Sequence, residues 1–177
     1  MNIISSQELI TTRIKECITS EMTPEGLLSD VETFIPSYRM EEEMEEPLIW
    51  LFEHPTTIAN EKSGALSQKL YLQTPYEFVC VVYDEDDIEE SEMKGKNLAS
   101  RVAASIAKNH IKLNSDRIIS KIEFETLYPV GEVSIRNKSD KAPATSVRII
   151  AKYYIDWMNC CKRKIENNND NNDNDGD

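Results

Sequence analysis

The sequence predicts an α+β domain: a mixed, mostly antiparallel sheet packed against two main helices, followed by a disordered acidic C-terminal tail. Three observations carry that prediction. A dense apolar strand over residues 76–83 breaks into an acidic turn and then an amphipathic stretch with helical spacing. The last third of the chain alternates apolar and polar residues at a period of two. An Asn/Asp tract at the C-terminus carries no apolar side chain, so burial cannot offset the entropy of ordering it.

The elements follow in order. Residues 6–20 read as a helix, with Ser5 as N-cap, Glu8 completing a capping box, and Ile10, Ile14, Cys17 and Ile18 on one face. Pro24 and Gly26 close it. Residues 27–46 give no clear periodicity, and the acidic run at 41–46 reads as a solvated face or loop. Residues 47–52 form a short buried strand between Pro47 and Pro55, and residues 56–67 an exposed loop. Residues 68–83 have strand character, with Pro75 expected to impose a bend or an edge because it cannot donate to a ladder. The continuous apolar run at 78–82 predicts a central strand covered on both faces.

Asp87 and Glu90 then form a second capping-box pattern, and acids in a first turn complement the positive end of a helix dipole. The helix expected over residues 88–110 carries a stripe of Leu98, Val102 and Ile106 flanked by Ala99, Ala103 and Ala107. Beyond it, Ile122, Phe124 and Thr126 alternate with charged residues, as do Val133 and Ile135 with polar ones. Val147, Ile149, Ala151, Tyr153 and Ile155 mark one face of a final strand, entered through a loop at residues 137–144.

The 177 residues suit one domain, residues 1–160, large enough to bury a core without disulfides or metal; residues 161–177 hold a basic segment and then the tail. Cys17, Cys80, Cys160 and Cys161 show no metal-ligand spacing, which fits a reducing compartment. Neither a signal sequence nor an apolar run of membrane-spanning length is evident, so the expectation is a cytosolic site of synthesis and no membrane partner. The formal charge is −12, and without the tail acids the chain still holds 27 acidic against 20 basic residues. That balance argues against specific nucleic-acid binding, since phosphate neutralisation needs Lys and Arg.

Candidate chemistry is sparse. His54 is expected to end a strand and His110 to sit in a last helical turn, neither with a nucleophile or metal partner at motif spacing. Cys80 belongs to an apolar strand, and Cys160 and Cys161 lie beside Lys162, Arg163 and Lys164 without a catalytic context. Asp84 or Asp86 with Lys121, Glu123 or Glu125 sketches a metal-dependent nuclease, but alternating surface charge gives the same pattern. Five glycines leave no phosphate-binding loop. The expectation is a non-enzymatic protein with no cofactor and no metal.

The order of these elements resembles that of tailed-phage tail terminator, or tail-completion, proteins. Residues 5–18 as first helix, 68–83 with the helix at 88–110, and the hairpin closing through residues 145–157 carry the resemblance. It implies a virion protein made in the host cytoplasm, forming a ring, usually a hexamer, that caps the tail tube and joins it to the head connector. Such a lumen would pass DNA. Loops 56–67 and 137–144 would then make subunit or tube contacts, with Lys62, Lys138 and Lys141 facing acids such as Glu89 and Glu90, and Asp140 a further interface candidate. The alternative is an adaptor that binds a protein partner through a sheet edge; the nuclease is a remote third reading.

Overall fold

The computed structural model describes residues 3–36, 45–59, 69–83, 87–114, 118–125, 127–134 and 141–156. In chain order these form α1 (Ile3–Glu21), β1 (Thr33–Ile35), β2 (Leu48–Glu53), β3 (Thr57–Ile58), β4 (Lys69–Val81), α2 (Ile88–Lys108), α3 (His110–Leu113), β5 (Ile119–Phe124), β6 (Tyr128–Ser134) and β7 (Lys141–Asp156). The sheet runs β1-β2-β4-β7-β5, with β3 beside β4 and β6 beside β7. Only the β1–β2 pairing is parallel among the described strands. The α+β class and the single packed unit are as the sequence suggests.

The two long strands β4 and β7 form the spine, paired from Lys69 with Asp156 to Val81 with Ala144. Alternation sends Leu72, Tyr76, Phe78 and Cys80 of β4, and Val147, Ile149, Ala151 and Tyr153 of β7, to one face. There they meet Ile10, Ile14 and Ile18 of α1 and Leu98, Val102 and Ile106 of α2 in the main core. Val79 and Val81 point the other way, into a smaller cluster with Ile35, Leu48, Ala142 and Ala144, drawn from strands alone. The apolar run of β4 is therefore central and buried on both faces, as expected.

Several boundaries differ from the sequence reading. Helix α1 already includes Ser5, so Ser5 is not its cap. Its end is as expected: Leu28 N–H donates to Glu21 O (2.8 Å), and a Cβ at position 26 would lie 2.1 Å from that same carbonyl oxygen, so only glycine fits. Thr33–Ile35 forms a strand that no periodicity announced, because its state comes from parallel pairing with β2. Thr57–Ile58, expected in a loop, pairs with Gln73 and Leu72.

Pro75 does not interrupt β4. Its carbonyl accepts from His54 N–H (2.9 Å) on the β2 side, and in a strand the N–H position points the same way as the C=O. The missing donor therefore faces the gap after β2 ends at Glu53 and before β3 begins at Thr57, a local edge within a central strand.

Asp87 caps α2, its side chain accepting from Glu90 N–H at 3.0 Å, while the Glu90 carboxylate goes to Lys94 instead of closing the box. The helix stops at Lys108; Asn109 turns the chain into α3, and His110 Nδ1 lies 2.9 Å from Ala107 O at the carbonyl end of α2. Ala107 is exposed, not part of the packed stripe. Strand β7 begins at Lys141, inside the expected loop, and Phe124 is 45 % exposed on the outer strand β5. No described helix is long and apolar enough to cross a membrane. Lys62, Lys138, Asp140, Cys160, Cys161 and the C-terminal tail, each given an expectation above, lie outside the described residues.

Candidate functional site

The face of the sheet without helices gathers most of the polar chemistry. On β4 the residues alternate to place Tyr71, Gln73, Pro75 and Glu77 there, and the register sets Tyr154, Lys152, Ile150 and Arg148 of β7 opposite them. Strand β2 adds Trp50 and Phe52, with ring centroids 4.6 Å apart, and β5 adds Lys121 and Glu123.

Glu77 is the hub at one end. Its Oε1 accepts from Tyr128 OH and from Ser146 Oγ, each at 2.7 Å, and its Oε2 lies 3.0 Å from His54 Nε2. Three other elements or their ends thus converge on this β4 carboxylate, since its partners come from β6, β7 and the residue after β2. Burial alone would raise this carboxyl, but the bonds from Ser146, Tyr128 and His54 outweigh it and hold Glu77 below the ordinary carboxylate range. Burial pushes the Tyr128 phenol up, and the neighbouring carboxylate adds to that.

At the other end, Glu123 receives Lys121 Nζ and Lys152 Nζ, each at 2.8 Å. The two ammoniums hold its carboxyl below the usual range. One acid between two bases leaves local positive charge on a chain that is acidic overall. Nearby, Tyr71 and Tyr154 lie 6.0 Å apart, with Lys69 Nζ 4.3 Å above the Tyr154 ring. Glu125 meets Arg148 Nε at 3.5 Å.

The serine and histidine of this face are not arranged as a nucleophile and its base. Ser146 donates to Glu77, the same carboxylate that holds His54, so the imidazole is not placed to take the serine proton. Burial pushes the Cys17 thiol up to about 11 and raises Cys80 further, which keeps both as thiols. Glu123 and Glu125, the carboxylates of the nuclease reading, are occupied by Lys121, Lys152 and Arg148. Asp84 and Asp86 lie outside the described residues, and among the described residues no group of three His, Cys, Asp or Glu could hold a metal ion.

Beneath the helices a different polar set ties layers together. Thr11 Oγ1 donates to Glu53 Oε2 (3.0 Å) and lies 2.9 Å from Tyr76 OH; Gln7 also donates to Glu53. Thr74 Oγ1 joins Tyr153 OH (3.1 Å) to Thr56 Oγ1 (2.7 Å). These bonds satisfy hydroxyls inside the core and are structural.

Of the residues expected to make contacts, Glu89 and Glu90 are exposed on the first turn of α2, and Lys141 is exposed at the start of β7. Within one subunit they do not meet: Glu90 pairs with Lys94 (2.9 Å) and Lys141 with Glu132 (3.7 Å). The Glu77 hub escaped the sequence reading. Its signal was present as a single acid amid the apolar residues of one strand, a position that demands partners. No protein-family model matches the chain, and no curated protein matches it either.

Proposed function

We propose that this chain is a structural, non-enzymatic subunit of the head–tail junction of a tailed-phage particle, closing into a ring that caps the tail tube and meets the head connector. The observation that carries the reading is the two-sided sheet: helices cover one face, while the other keeps partly exposed aromatic and charged side chains. The element order supports it, with a first helix, a spine strand, a capped second helix and an antiparallel set closing on β7. A subunit held soluble by net charge and joined head to tail closes when its rotation permits. Before assembly it resides in the host cytoplasm; afterwards it is part of the virion neck.

Solution mass across a concentration series, with negative-stain imaging and an assay for binding to purified tail tubes, tests the proposal. Closed rings or tube-end decoration are expected. A monomer at every concentration that also ignores tube ends sinks it.

One feature favours the second reading, an adaptor using a sheet edge. Strand β5 ends the sheet path, and beside it lies a groove of about 300 Å³ lined by Ile106, Ile119, Ile122 and Phe124. An extended peptide adding to β5 would use that groove for its side chains. Selection from a random peptide library that enriches β5-binding strands, with no rings formed, would favour this reading.

A further inference from the structure

The charged halves of the surface are distributed unevenly, and that distribution points to how copies pack. The first turns of α2 are acidic: Asp87, Glu89, Glu90 and Glu92 stand against Lys94 and Lys96. Capping uses Asp87, and Lys94 and Lys96 answer Glu90 and Glu92 at 2.9 and 2.6 Å. Glu89 and Met93, four residues apart, occupy the middle of the outward surface, opposite the buried stripe of Ser91, Gly95, Leu98 and Val102. Met93 is 66 % exposed, an apolar side chain beside Glu89 on an acidic surface.

The open sheet face offers the complement. Lys69, Lys121 and Lys152 surround the Tyr71–Tyr154 pair, and Glu123 is shared between Lys121 and Lys152. A thioether resting on two tyrosine rings, ringed by carboxylates against ammoniums, matches both chemistry and charge. The two surfaces belong to different elements of the subunit, so a contact between them is head-to-tail, the type that generates rings.

We infer that the acidic first turns of α2, centred on Glu89 and Met93, dock on the Lys69–Lys121–Tyr71–Tyr154 face of a second copy of this chain. The inference rests on the ring reading above and specifies its contact. It retains Glu89 and Glu90 as one half of the pairing and assigns the other half to the sheet face.

Charge reversal on each side tests it, using exposed positions where folding is checked by circular dichroism. One variant is Glu89→Lys with Glu90→Lys; the other is Lys69→Glu with Lys121→Glu. Each alone is expected to raise the association midpoint, read by sedimentation velocity of the full chain, by at least about tenfold, since like charges then face each other. An equimolar mixture of the two variants pairs α2 of each with the sheet face of the other in an alternating ring, and one chain carrying all four changes restores every contact in the same way; both return the midpoint towards wild type. Added salt weakens the wild-type association. Rings that tolerate both single-side reversals overturn this contact and leave the ring reading intact. A four-change chain that associates no better than either parent variant also overturns it. A wild-type chain that never self-associates, alone or on tube ends, overturns the contact and the ring reading together.

Discussion

The two faces of the sheet share strands β2, β4 and β7 yet are held by different forces. On the helix side, Tyr76, Phe78, Ile149 and Tyr153 are fully buried in the core with α1 and α2, and the two tyrosine hydroxyls pair with Thr11 and Thr74. On the other side a smaller apolar cluster of Leu48, Val79, Val81, Ala142 and Ala144 is joined by charge and hydrogen bonding: Glu77 gathers three partners, Glu123 two, and most of the other side chains stay partly exposed. The contrast teaches that the larger apolar core lies on the helix side, while the open side combines a smaller apolar cluster with polar pairs at its surface. Exposed ion pairs contribute little to stability, so an exposed residue such as Lys121 can be replaced at small cost to the fold.

Four perturbations break or sharpen this contrast. Phe78→Ala removes a fully buried ring from the helix side and is expected to cost about 3–5 kcal/mol, read as a lower urea midpoint. Glu77→Ala strands His54, Tyr128 and Ser146 and should cost about 1–3 kcal/mol; a loss as large as that of Phe78→Ala would mean the open face also carries the fold.

The third perturbation is pH. Glu21, at the end of α1, accepts from Asn109 Nδ2 (2.9 Å), Leu27 N–H (3.1 Å) and Lys108 Nζ (3.0 Å). Those bonds lower its carboxyl from 4.5 to about 2. A depressed carboxyl stabilises the fold above its unfolded value, so the contribution is full above about pH 4.5 and fades as pH falls towards 2. Glu21→Gln should flatten that part of the acid stability profile, measured by thermal melts between pH 2 and pH 6. The smallest effect belongs to Lys94→Ala, which removes the exposed pair with Glu90 and should cost only about 0.3–0.5 kcal/mol.

Much of the covered face was legible in the sequence because its signals are local. The run at 78–82 announced a strand buried on both sides, the spacing of Leu98, Val102 and Ile106 announced the packed stripe of α2, and Asp87 announced its start. The open face was legible only in fragments. Its hub joins His54, Glu77, Tyr128 and Ser146, far apart in the chain and brought together by strand register, which no short window encodes. Strand β1 escaped for the same reason, as three residues ordered by a neighbour. Pro75 misled because the rule about missing donors concerns the direction of one N–H, and the sequence does not say which neighbour that direction meets.

The thirteen-residue ladder between β4 and β7 has a kinetic consequence. Its two strands are separated by α2, α3, β5 and β6, so the spine can zip only after a long stretch of chain has been gathered, and loop-closure entropy is lost before those pairs form. Until β7 arrives, β4 presents an apolar edge with unsatisfied backbone groups, the kind of template on which nascent chains aggregate. Folding is therefore expected to be slow for a protein of this size, and the late arrival of β7 is the step at which a crowded cell would lose material.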